Sequence, residues 1–195
     1  MSIAAIMKVL VIGHSYVRDL SEFYRGSFVV EGTSFELKYP YKPGASYESL
    51  IDNTELFQDA IAYVPDYTVV ILAGNSLKLD VGNSTIFHQC KSFYMKLRTE
   101  LPSTKIIAAQ VELRFYEDSN KWNAPGIEEY KRRRSYLNKF LSKLKVRDGM
   151  LLVAGPHRLD NECYYRDAVH LNSVGIRKYF NFLKSTVAYM HRKNN

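Results

Sequence analysis

"VLVIGHSYVRDL" occupies residues 9–20, and its reading decides the fold. Four β-favouring residues run into Gly13-His14-Ser15, and the residues that follow are helical in character. A strand that ends in glycine and hands a serine to a helix start is the opening of a βα unit. Taken alone, Ser15 reads as an ordinary helix N-cap. Whether it is more depends on what the rest of the chain delivers to the same place.

Working outward, apolar β-rich runs alternate with helical patterns. Strands read at 7–13, 34–39, 67–73, 105–111 and 149–154. Helices read at about 16–25, from the Pro43-Gly44 turn to about Tyr63 with a break near Asn53, at 84–100, over the basic stretch after 125, and at about 173–190. The run 67–73 (YTVVILA) is apolar throughout, as expected of a strand covered on both faces. Strand alternating with helix predicts a parallel, doubly wound sheet. The fold class is α/β: a flavodoxin-like three-layer α/β/α domain with a five-stranded parallel sheet in the order 2-1-3-4-5. No linker or repeat divides the 195 residues, so residues 1–195 read as one domain.

Composition narrows the class. Hydrophobic content of 46 % with 24 % charged residues is that of an ordinary globular domain. No apolar run approaches the roughly 18–20 residues of a membrane span, and "MSIAAIM" is too short for a signal core. The two cysteines, Cys90 and Cys163, imply no disulfide framework and point to a reducing, intracellular and cytoplasmic setting. A net charge of +7 is compatible with nucleic acid as a partner. However, the densest cluster, Lys131 to Arg134, lies where Ile127, Tyr130, Leu137, Leu141 and Leu144 keep helical spacing. It therefore reads first as the solvated face of an amphipathic helix.

Ligands of open α/β sheets bind beyond the carboxyl ends of the strands. Past the first strand comes Ser15, past the second Gly44, past the third Asn75, and past the fifth a loop with Asp167 and His170. These are the parts that acyl transfer requires. A serine hydroxyl is a weak nucleophile without a base, which His170 can supply. Asp167, three residues earlier, can fix the imidazole tautomer and stabilise the imidazolium. The N–H groups of Ser15 and Gly44 and the Asn75 side-chain amide are suitable oxyanion donors. His157 is the competing base and Asp160 the competing acid, whereas His88 falls in a helical pattern and His191 in the basic tail. Val17 stands where the nucleophile elbow of α/β-hydrolases has its second glycine, and no phosphate-binding loop follows the first strand.

The set Gly13-x-Ser15, Gly44, Gly74-Asn75 and Asp167-x-x-His170, in this order, resembles the SGNH hydrolase superfamily, or GDSL-type esterases and lipases. The block "DAVHLNSVG" carries most of the likeness, because "LN..G" after the histidine opens the last helix in that family. The resemblance implies a Ser15–His170–Asp167 triad, an oxyanion hole of Ser15, Gly44 and Asn75, no metal and no organic cofactor. The implied partner is a small-molecule or lipid ester. Two positions depart from the pattern: His14 replaces the aspartate of Gly-Asp-Ser, and Ser76 replaces the aspartate of Gly-x-Asn-Asp. They leave open an alternative, a catalytically weak domain that binds lipid, glycan or nucleic acid. "GHSYVRDL" is also similar to esterase-like domains of some animal proteins, including those of LINE-type retrotransposons. His14 and the aromatic residues Phe115, Tyr116 and Trp122, the last three in the loop after the fourth strand, are candidates for lining the substrate pocket.

Overall fold

The computed structural model describes residues 6–72, 74–112, 124–148, 151–155, 159–167 and 169–193. Its centre is a sheet with strand order β2-β3-β1-β4-β5-β6, formed by β1 (Ile6–Gly13), β2 (Ser27–Val30), β3 (Thr33–Lys38), β4 (Tyr67–Ile71), β5 (Lys105–Ala109) and β6 (Leu151–Ala154). All neighbours are parallel except β2 and β3. Setting β2 aside, the five parallel strands follow the expected order 2-1-3-4-5.

The extra strand corrects the five-strand reading. Residues 27–38 form a hairpin whose turn, Glu31-Gly32, has positive φ at both residues (50° and 80°). Such a primed turn matches the twist of the two strands, and glycine at its second position is the usual signal. "FVVEGTSF" carries that signal.

Period-two alternation sorts the strands into two cores. In β1, Leu10 and Ile12 face one layer, while Val9 and Val11 face the other. The first layer holds α2 (Tyr47–Ile51), α3 (Thr54–Tyr63), α4 (Asn83–Glu100) and α5 (Ala124–Asp148). The second holds α1 (Ser15–Phe23) and α6 (Ser173–Lys193). Strand β4 is buried along its whole length, as its unbroken apolar run predicts. Its two hydroxyls are both satisfied: Thr68 bonds Thr104 at 3.0 Å and Tyr67 bonds His191 at 3.2 Å. The break read near Asn53 is present: α2 ends at Ile51, and Asn53 caps α3 by accepting the Leu56 N–H at 3.1 Å.

On α5 the five apolar positions face the core as their spacing predicts. The basic cluster is less free than a solvated face. Arg132 and Arg133 both pair with Glu129, and Lys131 pairs with Glu128. Arg133, only 11 % exposed, also donates to the carbonyls of Lys78, Leu79 and Val81. It is a strut for the chain that follows Asn75. No helix among the described residues is long and apolar enough to cross a membrane.

Candidate active site

The first turn of α1 is built by Gly13 and His14. A Cβ on Gly13 would stand 2.1 Å from the Ile71 carbonyl oxygen and 2.7 Å from Val17 Cγ2, so β1 can turn this close to β4 only with glycine. His14 is the N-cap of α1: its Nδ1 accepts the Tyr16 N–H at 3.4 Å, and the residue is 4 % exposed. The imidazole thus does what the aspartate of the family pattern could do at that position. Ser15 is the first residue inside the helix rather than its cap. Among the described residues its hydroxyl has no hydrogen-bond partner. The simple structural account of Ser15, as the cap, therefore fails.

The chain beyond β3 runs along the end of β1. Gly13 N–H donates to Pro40 O at 3.4 Å, and Lys42 N–H donates to Gly13 O at 3.0 Å. This course brings the Gly44 turn to the edge where Ser15 lies. Gly44 has φ +71°, a conformation that favours glycine, and its N–H has no acceptor among the described residues. Asn75 sits in a 3₁₀ turn, Gly74–Ser76, and its Nδ2 donates to Ala45 O at 3.2 Å. Buried Ser76 accepts the Tyr47 N–H at 3.1 Å, which ties the same two loops together. The second departure, serine for aspartate, thus keeps an acceptor for the start of α2.

The last loop carries the Asp–His pair. His170 Nδ1 lies 2.6 Å from Asp167 Oδ2. Asp167 Oδ1 accepts the N–H groups of Val169 and His170 at 3.0 and 2.9 Å. Partial burial pushes this carboxyl up, but the bonds from the His170 ring and the two backbone N–H groups outweigh it and hold it down at about 2. Asp160, the competing acid, is engaged elsewhere: it accepts from Cys163 Sγ at 3.1 Å and Lys178 Nζ at 3.4 Å. The loop is anchored by Asn172, whose Oδ1 accepts the N–H groups of Val174 and Gly175 and whose Nδ2 donates to the carbonyls of Glu162 and Tyr164. A Cβ on Gly175 would lie 2.2 Å from Cys163 O, which accounts for the glycine of "LNSVG".

The loop meets α1 through the chain neighbours of Ser15 and His170. Tyr16, next to Ser15, donates its hydroxyl to the carbonyl of Val169, next to His170, at 2.7 Å. Among the described residues no hydrogen bond joins the Ser15 hydroxyl directly to His170. A groove of about 720 Å³ opens beside His170, lined by Arg18, Asp19, Phe23, Tyr165, Arg166 and Leu171, among others. Of the other histidines, His88 lies on α4, and His191 bonds Tyr67 at the start of β4, the opposite end of the sheet. His157 and the pocket candidates Phe115, Tyr116 and Trp122 lie outside the described residues. Among the described residues no group of three His, Cys, Asp or Glu side chains could hold a metal ion.

Sequence reasoning passed over Glu112, just beyond β5. Its Oε1 is buried without a partner, and it lines a small cavity with His14, Gly74 and Tyr179. Burial pushes its carboxyl up to about 8, against a smaller opposing pull from Arg134. No local pattern marks it, since polar, exposed Gln110 stands two residues before it.

No family profile matches the chain, and no curated protein sequence does. Solved structures do. A family 3 carbohydrate esterase from Clostridium thermocellum superposes with a TM-score of 0.70 at 13 % identity, covering 98 % of this chain and 100 % of that one. A GDSL-like lipase from Bacteroides thetaiotaomicron gives 0.65 at 14 % identity, covering 94 % and 88 %. A carbohydrate esterase family 3 structure from Talaromyces cellulolyticus gives 0.65 at 12 %, covering 96 % and 99 %. The chain resembles the SGNH hydrolase superfamily and has the α/β fold of these GDSL-like lipases and carbohydrate esterases.

Proposed function

We propose that this protein is a serine ester hydrolase of the SGNH type, acting on carboxylic esters of a short acyl or acetyl group. The observation that carries this reading is the Asp167–His170 pair, held at 2.6 Å on a loop hydrogen-bonded to the first turn of the helix that begins with Ser15. The esterases and lipases of the same fold support it.

In this mechanism His170 Nε2 takes the proton of the Ser15 hydroxyl as Oγ attacks the ester carbonyl. Contacts of this kind are often long without substrate and tighten when it binds. The carbonyl π pair moves to oxygen, which the Ser15 and Gly44 N–H groups and the Asn75 amide receive. Of the two N–H bonds that Asn75 carries, one is held on Ala45 O. Collapse of the tetrahedral intermediate expels the alcohol, which takes the proton from the imidazolium. Water then attacks the acyl-enzyme by the same route, releasing the acid and restoring Ser15.

The test is labelling with a serine-reactive fluorophosphonate, combined with turnover of p-nitrophenyl acetate. Ser15 is expected to be the labelled residue, and Ser15→Ala to lose turnover. Turnover that survives Ser15→Ala would overturn the proposal. A binding module for lipid, glycan or nucleic acid would show no turnover and ligand binding indifferent to Ser15→Ala; nucleic-acid binding would in addition weaken with salt.

A further inference from the structure

Asp167 and His170 are three residues apart, so their mutual geometry is set within one loop. Their distance from Ser15 is not: it depends on how that loop docks on a helix 153 residues away in sequence. The two are joined where Tyr16 donates to the Val169 carbonyl at 2.7 Å. The N–H of that same Val169–His170 peptide donates to Asp167 Oδ1, so the hydroxyl grips the peptide that leads into His170.

Tyr16 is well placed to transmit position. It lies in the first turn of α1, directly after Ser15, and is 3 % exposed. Its ring packs edge-on against His14 at 4.7 Å and against Tyr179 at 6.0 Å, and the Tyr164 phenol interacts with it from the loop side. A phenol wedged in this way has little freedom to swing, so the helix and the loop share one reference point.

The loop also has bonds of its own. Tyr165 N–H donates to His170 O at 2.9 Å, and Asn172 N–H donates to Cys163 O at 2.9 Å. Losing the Tyr16 hydroxyl would therefore leave the loop folded and free it to shift on α1. A shift of about 1 Å costs roughly 10²-fold in rate where reacting groups must be aligned.

We propose that Tyr16 is a positioning residue, whose hydroxyl sets the reach from the Asp167–His170 loop to the Ser15 oxygen. The inference rests on reading Ser15 as the nucleophile. Tyr16→Phe keeps the ring and its packing and removes only the hydroxyl. In the full chain, kcat for p-nitrophenyl acetate and the rate of fluorophosphonate labelling should both fall by about 10- to 100-fold, with KM within roughly twofold. The low-field NMR resonance of the His170 Nδ1 proton should persist, because the Asp167 contact lies inside the loop. Ser15→Ala is measured alongside. Wild-type rates in Tyr16→Phe, with Ser15→Ala inactive, would overturn the positioning role and leave the nucleophile standing. Loss of the low-field proton would also overturn it, since the hydroxyl would then maintain the loop's own fold. Activity retained in Ser15→Ala would instead remove the esterase reading itself.

Discussion

The Asp167 carboxylate is used at both oxygens: Oδ2 faces the His170 ring at 2.6 Å, and Oδ1 accepts the backbone N–H groups of Val169 and His170. The same side chain therefore shapes the turn and orients the His170 ring. Asp167→Asn keeps the volume and one acceptor, so the fold should survive. Turnover should fall by up to about 10⁴, because the amide favours the wrong imidazole tautomer. Asp160→Asn should leave turnover within about twofold of wild type, since Asp160 bonds Cys163 and Lys178 instead. Steady-state kinetics of the two variants, with circular dichroism for fold, decide the matter; the reverse ranking would name Asp160 as the acid.

Asp167 also sets an acid limit. Its carboxyl is held at about 2, below the ordinary value of 3.8, so the native state releases that proton more readily than the unfolded chain. Its contribution to stability is present above the ordinary value and is lost as pH falls from about 4 toward 2. Acid unfolding followed by fluorescence should show a weaker pH dependence in Asp167→Asn over that window. Identical slopes would mean that the hydrogen bonds to this carboxylate do not stabilise the fold.

For Glu112 the sign is opposite. A carboxyl raised to about 8 from 4.5 stays protonated in the fold while the unfolded chain has released its proton. Stability therefore declines between about pH 4.5 and 8 and levels off above. Glu112→Gln removes the ionisation, so it should exceed wild type by about 2–4 kcal/mol at pH 8.5, or roughly 5–12 °C in Tm. The two should converge near pH 4. Thermal melts across this range test it, and a difference that does not change with pH would refute it.

Asn75 joins the two loops through its bond to Ala45 O, and it is the proposed third oxyanion donor. Asn75→Ala should reduce kcat by about 10²–10³ with little change in KM, as expected of a donor that acts in the transition state. A change confined to thermal stability would assign Asn75 to the loop tie alone.

Gly13→Ala should be severely destabilising, because its Cβ would meet the Ile71 carbonyl oxygen at 2.1 Å, and backbone cannot move aside as a flexible side chain can. A loss of about 3 kcal/mol or more is expected from chemical denaturation. A fully stable Gly13→Ala would mean that β1 and β4 can separate at this turn without cost.

The sequence by itself determined the layers. Apolar runs in β1 and β4 fill both faces of the sheet because consecutive strand residues point to opposite sides. Ile127, Tyr130, Leu137, Leu141 and Leu144 declared the buried face of α5 through helical spacing. The pairing of Asp167 with His170 was legible because a separation of three closes within one turn. The β2–β3 hairpin was also written there, in Glu31-Gly32, but the strand read at 34–39 passed over its short edge strand, Ser27–Val30.

Other features required the chain to fold back on itself. Nothing in "GHSYV" says that His14 will cap the helix, which frees Ser15 from that role; the choice depends on how β1 turns against Ile71. The basic run on α5 gives no hint that Arg133 will be drawn onto the carbonyls of residues 78–81, since those arrive from a distant loop. Glu112 looks like any polar residue leaving a strand, and only the packing around it strips its oxygen of water. The contact of Tyr16 with Val169 spans 153 residues. Local sequence fixes which faces are apolar and which turns close, because those depend on neighbours a few residues away. Distances between groups on separate loops are set by the sheet that carries them, and they exist only once it has assembled.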